Sequence, residues 1–270
     1  MPKKYLAYTL LICTTLIWSV NFIIGKFAYL FEVPPLTLNF LRWTLVWILL
    51  FPFTYKEIFL NIGLIKKNII YLTILAITSV SAFNSLVYLA LNYTQAIDTI
   101  LMISIIPVFV LFLSSILGIE KFNFFQLLGL IVSFIGVLII FSNADLSKII
   151  NLNFNKGNGW MLVAVFCWAL YSSLLKKKKL PFSTLGLVEI LATIGLIFLI
   201  PQFIGEQMYG KEIKFNKAFF LILSFVTLFA SIGAYYCWNK AIEIIGPNRA
   251  SIFLHLMPVF GVILAIVLLK

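Results

Sequence analysis

Two ionisable side chains sit where the neighbouring sequence offers them no water. Arg42 lies within "NFLRWTLVW" and Glu189 within "LGLVEILATI". A charge in the middle of a long apolar helix faces an interior, a partner or a water-filled path, because hydrocarbon cannot solvate it. Arg42 suits an anchor for a carboxylate, and Glu189 suits a charge that is protonated and released in a cycle. The competing readings are a structural ion pair or snorkelling towards an interface. Trp18, Asn21, Asn84, Tyr88, Trp168, Tyr171, Tyr235, Trp238 and Asn239 add stacking faces and hydrogen-bonding tips. That mixture fits a cavity for a small amphipathic molecule; any one aromatic also fits helix packing or an interfacial belt. His255 is the single histidine, read either as packed and hydrogen-bonded or as a proton-handling cavity group. Pro107 and Pro258 each remove a backbone hydrogen bond within an apolar run, giving a hinge or a static bend.

The elements that must position these groups follow from composition. Hydrophobic residues make up 63% of the 270 residues and charged residues 11%, with a mean hydropathy of +1.10. A soluble domain is nearer half apolar and a quarter charged, so this chain belongs in a bilayer. Its apolar runs are continuous and about twenty residues long, which predicts spanning helices and excludes an outer-membrane barrel. The first run, 5–31, is too long for a signal-peptide core and stays as a helix. The net charge of +11 resides in loop lysines, which set topology rather than bind nucleic acid. Cys13, Cys167 and Cys237 show no metal-ligand spacing, and one histidine cannot build a multi-histidine centre. No metal or cofactor is expected.

Nine helices are expected at 5–31, 36–55, 68–91, 95–117, 123–142, 158–176, 182–204, 217–243 and 248–269. With the N-terminus in the cytoplasm, eleven loop Lys and Arg fall inside and six outside, which favours that orientation in the cytoplasmic membrane. The halves also repeat. "IIPVFV" (Ile105 to Val110) lines up with "LMPVFG" (Leu256 to Gly261) at an offset of 151. Trp18 meets Trp168 at 150, and Thr37-Leu38 meets Thr184-Leu185 at 147, which sets Arg42 opposite Glu189. A five-helix unit repeated once must enter the membrane from the other side, giving an inverted repeat of the kind secondary transporters use.

"IWSVNFIIGK", "VPPLTLNFLRW", "YLALNYTQA" and "SIIPVFVLFLSSILGIEKF" in the first half, then "CWALYS" and "YYCWNKAIEIIGPNRASIFLHLMPVFGVILAIVLL", resemble the EamA type of the drug/metabolite transporter superfamily. The resemblance covers essentially the whole chain. It implies an all-α polytopic membrane protein of two inverted five-helix EamA repeats: residues 1–142, an extracytoplasmic linker 143–157, and residues 158–270. It implies a secondary transporter of small metabolites, often as export, without fixing a substrate; the aromatic and amide cluster suits amino acids or related solutes, moved by alternating access through a cavity between the repeats. Its partners would be a small-molecule substrate and the lipid bilayer, with no nucleic acid. Nine helices are present where the family has ten, so the tenth is missing and the chain is expected to continue past Lys270. Gly129, Ser133 and Gly136 share one helix face, read as packing within the monomer or as a homodimer surface. The rival functions are a membrane-embedded enzyme and a non-transporting channel or scaffold subunit. An enzyme needs clustered catalytic groups, and a channel needs a filter loop or charged ring; the sequence presents neither.

Overall fold

A computed structural model describes residues 3–121, 123–142, 155–209, 213 and 215–268. The expected linker lies outside the described residues over 143–154, as does the chain end at Lys270. Eight helical stretches among the described residues are long and apolar enough to cross a bilayer, and a further apolar helix has 19 residues. In chain order they are α1 (Lys3–Leu30), α2 (Pro35–Leu60), α3 (Ile69–Leu91), α4 (Ala96–Ile103 and Ile106–Ile116) and α5 (Phe124–Ser142). The second half supplies α6 (Lys156–Leu175), α7 (Thr184–Met208), α8 (Lys217–Ile245) and α9 (Pro247–Ile252, Phe253–His255 and Leu256–Leu268). A short helix, Ile62–Lys67, precedes α3.

Local chemistry explains where these helices start. Asn155, Ser183 and Asn216 each accept a hydrogen bond on the side chain from a backbone N–H three residues on, capping α6, α7 and α8. Such a cap satisfies one of the donors that a helix start leaves unpaired. Pro35 and Pro247 open α2 and α9, where proline loses nothing because its missing N–H has no partner there. Gly246, with φ +82°, makes the reversal between α8 and α9. A Cβ at Gly246 would lie 1.8 Å from the Glu120 carboxylate, and Glu120 accepts from the Asn248 N–H at 3.1 Å.

The two halves run in opposite directions across the membrane. Lys26, near the end of α1, donates to the carbonyls of Leu91 and Thr94 at 3.0 Å each. Gly157, at the start of α6, packs against the carbonyl of Ala90 beside them. So α1 ends at the face where α6 begins. That face is called here the far face, and the face where α1 starts the N-face.

Repeat-related residues do equivalent jobs at the two faces. Lys176 stands 150 residues after Lys26 and donates to the carbonyls of Ile242 and Glu243 at the end of α8, as Lys26 does at the end of α3. Cations at these termini satisfy carbonyls that have no intrahelical partner. Glu57 and Glu206, two residues out of step with the 147 offset of these helices, likewise pin the antiparallel pair α2–α7 at both ends. The Glu206 carboxylate accepts from the Leu36 and Thr37 N–H groups at 3.3 and 2.6 Å. The Glu57 carboxylate accepts from the Ser183 N–H, and from its hydroxyl at 2.6 Å.

Two departures from regular helix are also repeat-related. Ile77–Ser81 in α3 and Val226–Gly233 in α8 are π-helical. The expected mid-helix kinks take a different form from simple proline bends. In α4 the helix is interrupted at residues 104–105 and restarts with Pro107 in its first turn. In α9 a 3₁₀ turn, Phe253–His255, precedes the segment holding Pro258. Proline costs no hydrogen bond in a first turn, so each sits where the helix restarts rather than inside an unbroken one.

Candidate functional site

The π-helical segments meet the cluster of polar candidates at the middle of the bundle. A π-helical turn shifts the backbone bonding by one residue and leaves carbonyls facing sideways. The Ser79 carbonyl accepts from the Tyr235 hydroxyl at 2.6 Å and from Asn84 Nδ2 at 2.7 Å. The Ala230 carbonyl, 151 residues later, accepts from Trp18 Nε1 at 3.1 Å. It also accepts from Arg42 Nη2 at 3.3 Å.

Arg42 is 1% exposed. Its Nη1 donates to Asn84 Oδ1 at 2.8 Å and to the Tyr88 hydroxyl oxygen at 3.0 Å, and its Nε donates to the Ser231 hydroxyl. Every one of these acceptors is neutral, and among the described residues no carboxylate comes within ion-pairing distance. The guanidinium is therefore geometrically fixed and electrostatically uncompensated. A buried charge of this kind carries a desolvation cost of several kcal/mol that neutral dipoles offset only in part.

Arg42, Asn21, Asn84, Tyr88, Trp18, Trp168 and Tyr235 share the wall of one central cavity, closed by apolar side chains including Phe83, Ile106 and Met257. Asn84 joins both halves, because its Nδ2 also donates to the Tyr235 hydroxyl at 3.0 Å. Trp18 and Trp168 meet edge to face at 5.0 Å between ring centroids, so the repeat-related tryptophans touch each other. Asn21 is buried, and its Oδ1 has no partner among the described residues. The cavity holds about 20 Å³, room for roughly one water molecule. In this state the site is shut on itself, and a metabolite requires it to widen.

A model of the EamA-like transporter family matches residues 5–142 and again 155–270. The chain belongs to the EamA-like transporter family. It is 30% identical over 261 residues, 96% of this chain and 87% of the relative, to an "Uncharacterized transporter" of Archaeoglobus fulgidus. It is 26% identical over 204 residues, 74% of this chain and 66% of the relative, to "Uncharacterized transporter YyaM" of Bacillus subtilis. A yeast relative, "Thiamine-repressible mitochondrial transport protein THI74" of Saccharomyces cerevisiae, is 28% identical over 61% of this chain and 47% of its own length. The protein is thus an integral membrane transporter by family, and these relatives are named as transporters rather than enzymes.

Other candidates of this transporter lie outside the central cavity. Tyr171 and Trp238 pack behind it: the Tyr171 hydroxyl donates to Asn239 Oδ1 at 2.6 Å, and Trp238 Nε1 to the Ser172 hydroxyl at 3.3 Å. Asn239 itself lines a second, larger cavity of about 510 Å³, a vestibule at the N-face between α3, α6, α7 and α8. His255 does not line the central cavity. Its Nε2 meets the carbonyl of Ser104, its own repeat counterpart, at 3.0 Å, and its Nδ1 meets the Ser133 hydroxyl. That ties α9 to α4 and α5. Gly129 and Gly136, which share a face with Ser133, have open space around a would-be Cβ, so neither makes a close helix contact among the described residues.

Arg42 and Glu189 are not brought together. The bonded ends of α2–α7, Thr37 with Gln207 at one end and Glu57 with Ser183 at the other, fix the register of the pair. Counted from either contact at 1.5 Å per residue, the two lie roughly 14 to 20 Å apart along the helices. Glu189 is fully buried, and both carboxyl oxygens lack a hydrogen-bond partner among the described residues. Among the described residues no group of three His, Cys, Asp or Glu converges as a metal site would need.

Ser79, Ala230 and Ser231 are site groups that sequence reading missed. Two contribute carbonyls, which no side-chain search finds. A signal was nevertheless available: at the 151 offset Asn84 falls on Tyr235 and Ser79 on Ala230, so the repeat itself points to the segments.

Proposed function

We propose that this protein is a secondary transporter exporting small organic solutes that carry an anionic group, amino acids and related metabolites among them. It would work across the cytoplasmic membrane by alternating access between the repeats. Arg42 carries the reading: a fixed guanidinium, fully buried beside a cavity and bonded only to neutral acceptors, lacks the charge that an anion would supply. Asn21 Oδ1 offers an unmet acceptor to a hydrogen-bond donor on the same solute. The aromatic faces of Trp18 and Trp168 suit its apolar or ammonium portion. Loop lysines favour a cytoplasmic N-face, and the vestibule opens there, which supports exchange of the solute with the cytoplasm.

The test is counterflow in proteoliposomes against a panel of amino acids, carboxylates and organic amines. Anionic and zwitterionic solutes should exchange, and simple amines should not. Arg42→Gln should abolish exchange. Asn84→Asp should abolish it too while leaving the arginine in place, because the new carboxylate would occupy the guanidinium. No flux with any solute sinks the reading, and so does full activity in both variants.

A further inference from the structure

The vestibule at the N-face gathers loop lysines that set topology around one concave wall. Four lysines and a single carboxylate line it: Lys176, Lys178, Lys179 and Lys240 against Glu243. Two of these cations are already engaged. Lys240 pairs with Glu243 at 2.8 Å, and Lys176 donates to the carbonyls that close α8. Lys178 has a neutral partner only, Asn68 Oδ1 at 3.1 Å, and lies over the Tyr71 ring. Cationic groups around a concave, low-dielectric wall reinforce one another and concentrate anions within it.

The floor supplies an independent observation. Asn239 is 5% exposed and lines the vestibule. Its Oδ1 is held by the Tyr171 hydroxyl; Nδ2 has no partner among the described residues and is sealed beneath the floor, so an anion reaches it only when the floor gives way. A buried amide donor without an acceptor carries a desolvation cost that nothing repays, so the site is short of an acceptor oxygen. Asn239 also lies one helical turn from Tyr235, on the same face of α8, and Tyr235 lines the central cavity.

We propose that this vestibule is a second anion-binding site, with Lys178 and Lys179 as cations that no carboxylate pairs among the described residues and Asn239 as the donor beneath its floor, taking a carboxylate or phosphate group. The inference rests on the transport reading in placing this site on the solute's path. An oxygen seated on Asn239 Nδ2 is about 6 Å of helix rise from Tyr235, four residues at 1.5 Å each. Release of the Tyr171–Asn239 bond would open the step between the two cavities. Two sources could supply the group: a soluble anion, or the headgroup of an anionic lipid at the same membrane face.

Ligand-observed NMR on the purified full chain in neutral detergent tests the site, with benzoate as the probe. Arg42→Gln should retain benzoate binding, because the vestibule is intact. Lys178→Gln with Lys179→Gln, and separately Asn239→Ala, should weaken it at least fivefold in that background. Salt at 0.5 M should weaken it too, by screening at short range. Competition by short-chain phosphatidylglycerol but not phosphatidylcholine would assign the site to headgroups. Its absence, with a raised KM for anionic solute in the lysine variant, would assign it to the transported anion. Unchanged benzoate binding in all the vestibule variants overturns the proposal, as does its complete loss in Arg42→Gln alone. Neither outcome touches counterflow, so the transport reading would survive.

Discussion

Arg42 and Glu189 look like a matched pair in sequence, yet their physical situations differ. Arg42 is held by Asn84, Tyr88, Ser231 and the Ala230 carbonyl, which makes it a fixture. Glu189 has no partner for either carboxyl oxygen among the described residues, which makes it a group free to exchange a proton without breaking a bond. Most buried polar groups are satisfied, so an unmet carboxyl at membrane depth calls for a reason, and proton coupling supplies one. Glu189→Gln keeps the shape and removes the titration. It should leave counterflow intact and abolish solute accumulation driven by an imposed pH gradient across proteoliposomes. Gradient-driven accumulation at the wild-type level would remove Glu189 from the coupling step. The types of these two residues were legible in sequence because charge inside an apolar run is rare. Their separation was not, since it depends on how α2 and α7 register against each other.

The helices themselves follow closely from hydropathy, and the largest misjudged ends are informative. Apolar runs suggested that α2 and α7 stop near 55 and 204, whereas they continue to Leu60 and Met208. The added turns carry Glu57 and Glu206, whose polarity hides them from a hydropathy criterion although they pin the helix pair. Glu206 is buried and meets two N–H groups at the start of α2, where a negative charge also complements the helix dipole. Glu206→Ala should therefore cost about 1–2 kcal/mol, the usual worth of a helix cap. Glu206→Gln, which keeps an acceptor, should cost less. Thermal unfolding in detergent reads the difference, and an Ala variant melting with the wild type would show the pin to be idle. The π-helical segments, in contrast, have no hydropathy signature, because moving a hydrogen bond from i+4 to i+5 changes no residue's polarity. Gly195 hints at their packing. A Cβ there would lie 2.4 Å from Val80, inside the α3 segment, so α7 approaches closely where α3 leaves regular geometry.

At the scale of the molecule, an inverted repeat makes two conformations nearly equivalent, and the structure breaks that equivalence in one direction. Leu187 lines the vestibule at the N-face. Its counterpart at the 147 offset is Phe40, which stacks on Phe203 at 4.6 Å at the opposite end of α2–α7. If the halves exchange roles, the environments of Leu187 and Phe40 must exchange as well. Both pins of α2–α7 are closed here while the vestibule is open. That supports motion of α3, α4, α8 and α9 around a fixed α2–α7 spine, the interruptions before Pro107 and Pro258 bending as hinges. Single cysteines at Leu187 and Phe40, in a chain with Cys13, Cys167 and Cys237 replaced by alanine, would read both ends. A membrane-impermeant maleimide should label Leu187→Cys from the N-face and Phe40→Cys slowly from the far face. Saturating transported solute should shift the two rates in opposite directions, as the proposed alternating access with a solute on Arg42 requires. Rates that both stay fixed, or that rise together, would be incompatible with alternating access and would indicate a pore or a static bundle.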